Sequence, residues 1–220
     1  MYKYDTYRRQ TAEYIKKNNI DVSGKWSYQF GIYTGVTFSH IYEMFREYKI
    51  PCERIMAFDS FEGLPEEQPG IPRHFRWGKN KFNAKYHFQE ENTAIIIERI
   101  MQLLPDREIP VDWIEGYFSD VLNDLFMEKY QPAPAFWLDI DVDLYLSAKQ
   151  VLTFMCDKKL VLPQTIISYD DWGGTEEYKG GESLAHKEMC EEFGVICDEI
   201  HRSANGEHVQ TVFIVRGVGE

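Results

Sequence analysis

No stretch of this chain approaches the roughly 18 consecutive uncharged apolar residues that a bilayer-spanning helix needs, and the opening MYKYDTYRRQ is too polar for a secretory leader. Positive charge is scarce as well: 24 Lys and Arg stand against 36 Asp and Glu, the net charge is −12, and the basic residues form no dense block. That argues against a nucleic-acid partner and an anionic membrane surface, both of which are gripped by concentrated positive charge. Cysteine is sparse, and Cys52, Cys156, Cys190 and Cys197 show no C-x-x-C spacing, so the expectation is reduced, structural thiols in a cytoplasmic protein. Repeats and low-complexity segments are also missing. What remains, 220 residues at 44% hydrophobic and 15% aromatic content, suits a single domain over 1–220 with a proper core.

The stretch around which the chain is organised is AFWLDIDVDLY, Ala135 to Tyr145. An apolar run, Ala135 to Leu138, reads as a core strand and leads into acids at alternate positions, Asp139, Asp141 and Asp143. A continuing strand would place those carboxylates on one face, roughly 7 Å apart from one to the next. A core face does not tolerate this, because unpaired buried carboxylates cost several kcal/mol each; either the strand ends at the rim of a cleft or a cation sits among them. A second apolar run, Thr165 to Tyr169, ends in Asp170 and Asp171, so two strand ends finishing in Asp point to one shared divalent site. The competing reading is solvated loop acids, since Asp is common in turns.

The remaining elements follow from spacing. Residues 6–17 form an amphipathic helix, within an N-terminal segment 1–20, that packs on the sheet or serves a dimer. Trp26 to Ile32 alternates like a strand, Gly31 and Gly35 bracket a bend, and Thr37 to Lys49 has helical spacing, an arrangement that lets backbone approach a nucleotide-like ligand. A strand from Arg54 to Phe58 ends in Asp59, which follows Gly35 at close to the roughly 20-residue spacing of a ribose-binding acid. Residues 60–88 read as a lid or acceptor loop with exposed aromatics Phe75, Trp77, Phe82 and Tyr86. Then come a helix from Glu90 to Leu104, a strand from Val111 to Ile114, and a helix from Ser119, its N-cap, to Lys129. Helices Ser147 to Lys158 and Glu182 to Phe193 flank the fifth strand, and strands Cys197 to His201 and Val209 to Val215 close the chain around an Asn205-Gly206 hairpin turn. The pattern is an α/β fold with one reversed edge strand.

FDSFEGLP (Phe58 to Pro65), Trp77-Gly78, GYFSDVL (Gly116 to Leu122), DIDVDLYLSA (Asp139 to Ala148) and DDW (Asp170 to Trp172) occur in that order. Over roughly residues 26 to 216 the chain thereby resembles the macrocin O-methyltransferase family, S-adenosylmethionine-dependent enzymes whose known members methylate sugar hydroxyls on macrolide antibiotics. The resemblance implies a class I methyltransferase (Rossmann-like) fold: a seven-stranded, mostly parallel sheet with an antiparallel C-terminal hairpin strand and helices on both faces. It implies metal ligands at Asp141, Asp170 and Asp171, which are also the catalytic acids. The cofactor residues it implies are Gln29, Gly31, Tyr33, Gly35, Thr37, Asp59, Ser60, Gly116, Tyr117, Phe118 and Asp139. The chain departs from the family at Gln29, commonly Glu, at Val36, commonly Gly, at Ala148, commonly Thr, and at Leu162-Pro163-Gln164, where a Gly-Gly turn is usual.

The chemistry that follows is Mg²⁺-assisted methyl transfer to a hydroxyl of a small sugar, diol or catechol-like acceptor, in natural-product or glycan biosynthesis. A separate general base, if one is used, comes from Glu62, His74 or His87 beside the lid, and Trp77 and Trp172 are candidates for the acceptor wall. Arg73, Arg76, Lys79, Lys81 and Lys85 make the lid basic, which suits an anionic acceptor or a solvated charge run. A homodimer is compatible with the family. Two other readings stand beside this one: an Asp-x-Asp metal-dependent glycosyltransferase, and a catalytically silent cofactor-binding homologue.

Overall fold

The computed structural model describes residues 6–173, 180–205 and 208–219. Seven strands, β1 (Trp26–Phe30), β2 (Ile55–Asp59), β3 (Val111–Glu115), β4 (Ala135–Ile140), β5 (Ile166–Tyr169), β6 (Ile196–Asn205) and β7 (His208–Gly217), form one sheet in the order β3-β2-β1-β4-β5-β7-β6. The first five pair in parallel, and β7 runs antiparallel to both neighbours. The reversed strand therefore lies one place in from the edge, a correction to the edge position expected from the pattern. The reason is topological: β6 takes the outer place and β7 folds back into the gap beside β5. The hairpin strands are each 10 residues long, longer than their sequence pattern indicates, and Gly206 of the expected turn lies outside the described residues.

Among the described residues eight helices accompany the strands: α1 (Thr6–Lys17), α2 (Val36–Glu47), α3 (Ala84–Phe88), α4 (Thr93–Met101), α5 (Phe118–Val121), α6 (Asp124–Tyr130), α7 (Tyr145–Asp157) and α8 (Gly181–Phe193). Strand alternation sorts the core into two layers. Tyr28, Phe30, Met56, Phe58, Leu138 and Ile140 face α6, α7 and α8, whereas Ile55, Ala57, Phe136 and Trp137 face α1, α2 and α4, the last two sharing a face because the register shifts at Phe136. Helix α1 packs on the sheet through Tyr7, Ala12 and Ile15, and burial of Ile15 alone contributes about 1.5–3 kcal/mol. No helix among the described residues is long and apolar enough to cross a membrane.

Two helix boundaries differ from their spacing. The single helix expected from Ser119 is broken at Leu122, and Asn123 caps the second piece by accepting from Phe126 N at 3.1 Å. Ser119 lies inside α5 and donates to Asp120, so it caps neither piece. Likewise α4 starts at Thr93, where Asn92 accepts from Ala94 N at 3.0 Å.

Candidate active site

Strand order reverses between β1 and β4, and at that switch point the C-terminal ends of the parallel strands open a crevice. The turn after β1 forms one wall. Gly31 has φ +86°, and a Cβ there would sit 1.9 Å from the Asp141 carbonyl oxygen, so only glycine lets the ends of β1 and β4 approach. Gly35, at φ +80°, passes so close to Ile100 that a Cβ would lie 2.2 Å from it. Between them Tyr33 adopts φ +49°, a conformation that costs a side-chain-bearing residue roughly 1–2 kcal/mol. Asp59 holds the turn in place: its Oδ2 accepts from Ile32 N (2.7 Å) and Tyr33 N (2.8 Å), and its Oδ1 from Phe61 N (2.6 Å). Burial lifts its pKa above the ordinary carboxylate value despite those three donors. One lone pair of Oδ1 remains for a ligand.

The acids after β4 do not share a strand face, because β4 stops at Ile140 and Asp143 turns at φ +62°. Asp139, still in the strand and 1% exposed, is sealed by α1: Arg8 Nε (3.1 Å) and Nη2 (2.9 Å) donate to Oδ2, and Ser168 Oγ (2.6 Å) and Tyr7 OH (3.4 Å) donate to Oδ1. The same Arg8 Nη2 donates to Asp141 Oδ2 at 3.0 Å, and Nη1 lies 3.9 Å from Asp170 Oδ1. Gln210 Nε2 donates to that Asp170 oxygen at 2.6 Å. Glu182, fully buried in the first turn of α8, ties the two acid-bearing segments together by accepting from Val142 N and Asp171 N, each at 3.0 Å.

One carboxylate oxygen from each of Asp141, Asp170 and Asp171 lies within 4.8 Å of the others. Burial, then the neighbouring Asp170, pushes Asp141 well above the usual carboxylate range. Asp143 and Glu182 rise in the same direction through burial and then Asp171. Arg8 neutralises only part of this charge. An all-oxygen, over-charged donor set of this kind fits a hard divalent cation such as Mg²⁺.

Both walls and the acids border one cavity of about 1040 Å³, at the upper end of small-molecule sites. Gly31, Tyr33, Thr37, Asp59, Ser60, Gly116, Tyr117, Phe118, Asp141, Asp170 and Asp171 line it. Gln29, Gly35, Asp139 and Glu62 do not. Gln29 is buried in register beside Asp139, its amide atoms without a partner among the described residues, and Glu62 faces outward in an ion pair with Lys85. Of the residues singled out within 60–88, Arg73, His74, Phe75, Arg76, Trp77 and Phe82 reach the cavity. His87 instead meets Tyr33 OH through Nδ1 at 3.2 Å. Trp77 is buried with Leu64 and Leu144 rather than exposed, because the segment 60–88 folds its apolar side chains onto the start of α7. Trp172 packs against His186 and Phe213, away from the cavity wall.

Four contributors carry no motif in the sequence: Arg8, Glu67, Glu182 and Gln210. Glu67 anchors the segment 60–88 to the N-terminus of α7, its Oε2 accepting from Tyr145 N (2.8 Å) and its Oε1 from Leu146 N (3.0 Å). The only sequence signal for any of them is Glu182, an acid in a first helical turn.

A family described as macrocin-O-methyltransferase (TylF) matches residues 8–180. Among solved structures, CalS11, a calicheamicin methyltransferase, superposes with a TM-score of 0.67 at 16% identity, covering 96% of this chain and 80% of that one. The O-methyltransferase NovP gives 0.64 at 19% identity over 96% and 78%. A second CalS11 structure, described as an apo TDP-rhamnose 3'-O-methyltransferase of calicheamicin biosynthesis, gives 0.55 at 15% identity over 96% and 80%. No curated protein matches the sequence. At these identities the structural likeness establishes the fold, that of class I methyltransferases.

Proposed function

The chain belongs to the macrocin-O-methyltransferase family and is an O-methyltransferase, and from that premise we propose that it moves the methyl group of S-adenosylmethionine to a hydroxyl of a small sugar, diol or catechol-like acceptor, with a divalent cation at Asp141, Asp170 and Asp171. The observation that carries this reading is that the glycine turn, Asp59 and the three acids border one cavity of about 1040 Å³, room for a cofactor and an acceptor together. CalS11, described as acting on TDP-rhamnose, supports a sugar acceptor and a place in natural-product biosynthesis.

When bound, S-adenosylmethionine supplies an electrophilic methyl group and the cation supplies acidification and orientation of the acceptor hydroxyl. The rest is the work of this chain's own residues. The backbone from Gly31 to Thr37 leads into the N-terminus of α2 and receives the cofactor's amino-acid part, with Gln29 and Gly35 supporting it from behind. Asp59 offers its remaining lone pair to the ribose, and Ser60, Gly116, Tyr117 and Phe118 frame the same side. Asp141, Asp170 and Asp171 hold the cation while Arg8 and Gln210 fix the Asp141 and Asp170 carboxylates and Glu182 fixes the backbone of Asp171, as outer partners do in metal sites. Residues 60–88 act as the lid that excludes water. Of the three base candidates His74 is the one on the cavity wall.

Of the two Asp-x-Asp pairs open to a glycosyltransferase, Asp139-Ile140-Asp141 is excluded because Asp139 is saturated by four donors at 1% exposure, and Asp141-Val142-Asp143 would leave Asp170 and Asp171 without a use. The test is Asp141→Asn and Asp170→Asn in a methyl-transfer assay over sugars, diols and catechols. Turnover should fall by about 100-fold or more with the fold retained, and chelator should abolish it in the parent enzyme. Undiminished transfer in chelator contradicts the cation.

A further inference from the structure

Away from the cavity wall, α8 and β6 bring together a second set of ligating side chains that the methyl-transfer reading does not use. His186 and Cys190 are four residues apart on α8 and so share a face. Gly194 ends the helix at φ +61°, and the chain returns as β6 with Cys197 near its start. One nitrogen and two sulfurs from these residues lie within 4.8 Å of one another, and His186 Nε2 is 3.5 Å from Cys190 Sγ. Bond lengths of about 2.3 Å to sulfur and 2.0–2.1 Å to nitrogen give a tetrahedral nitrogen–sulfur edge of about 3.6 Å. The imidazole is also oriented as ligating histidines are. It is buried, stacked on Phe213 at 4.3 Å, and its Nδ1 lies 2.8 Å from Tyr169 OH, which leaves Nε2 for a ligand.

We propose that His186, Cys190 and Cys197 bind a soft or borderline divalent cation, zinc by its donor chemistry, with a fourth position open to solvent because both cysteines are only half-buried. The two cation sites then differ in kind: oxygen donors at Asp141, Asp170 and Asp171, sulfur and nitrogen donors here. Binding displaces the thiol protons to solvent. Glu182, His186 and Cys190 form one stripe on α8, so the cation pins the helix whose first turn holds Asp171 N and Val142 N.

The experiment is titration of chelator-stripped full-length protein with Co²⁺ as the spectroscopic probe, followed by Zn²⁺. One Co²⁺ per chain should produce sulfur-to-metal charge transfer of two-thiolate intensity together with tetrahedral visible bands, and Zn²⁺ should erase both. Cys197→Ser should halve the charge-transfer intensity and Tyr169→Phe should weaken affinity by about 10- to 100-fold. Asp141→Asn should leave the spectrum unchanged, which separates this site from the acidic one. Absence of charge transfer, a signal insensitive to Cys197→Ser, or only two free thiols in the denatured, unreduced chain would overturn the proposal. Circular dichroism of each variant confirms that the fold is retained.

Discussion

Replacing Arg8 by Met tests the least expected feature of the site. Arg8 and Asp139 are each 1% exposed, so solvent does not screen their ion pair. The substitution keeps an apolar stem of similar reach and removes both donors to Asp139 Oδ2 and the one to Asp141. Asp139 would keep only the Ser168 and Tyr7 hydroxyls on Oδ1, leaving a buried, half-solvated charge beside two further carboxylates. Removing one partner of a buried pair costs about 3–5 kcal/mol. For a chain of this size each kcal/mol moves the melting temperature by about 2–4 °C, so thermal unfolding followed by circular dichroism should show a drop of about 6–20 °C. Adding Asp139→Asn to Arg8→Met should cost less than the sum of the single changes by at least about 1 kcal/mol, since the uncompensated charge leaves with its partner. A melting temperature within about 2 °C of the parent, or strict additivity, would refute the argument that Arg8 neutralises the acids.

Two further outcomes follow from the same geometry. Asp141, Asp143 and Glu182 have folded-state pKa values raised above those of the unfolded chain, so their contribution to stability is fully present below about pH 4 and is lost as pH rises through the folded values. Cation-free protein should therefore melt at a lower temperature at pH 8 than at pH 5, and Mg²⁺ should flatten the slope; a melting temperature that rises over this range contradicts the charge assignment. Glu67→Gln weakens both caps on α7 and should lower stability by about 1–3 kcal/mol while speeding limited proteolysis within residues 66–83, whereas unchanged cleavage would mean that Glu67 does not anchor this segment.

Much of this arrangement was legible in the residues, because its signals are local. Alternation in Trp26 to Phe30, the apolar run Ala135 to Leu138, glycine at positions 31 and 35, and Asp at the ends of β4 and β5 each constrain a short stretch, and the parallel order brings those stretches to one sheet edge. Arg8 was illegible because a charged residue on an amphipathic helix reads as solvent-facing, and its burial depends on carboxylates more than 130 positions away. Glu67 was hidden in the same way: its partners are backbone amides of a distant helix, which leave no side-chain pattern. Trp77 looked exposed because its partners Leu64 and Leu144 are separated from it in the chain. Cys190 and Cys197, six residues of helix end and turn apart, look like independent core thiols until the α8–β6 return brings His186 between them.

The central claim is that the cavity takes S-adenosylmethionine beside a cation held by three acids. Isothermal calorimetry with S-adenosylhomocysteine and S-adenosylmethionine, run with Mg²⁺ and again with chelator, addresses it directly. The account predicts one site per chain with micromolar affinity, about −8 kcal/mol, for at least one of the two ligands, and a separate Mg²⁺ binding heat that Asp170→Asn removes. Absence of ligand binding in both conditions would contradict it.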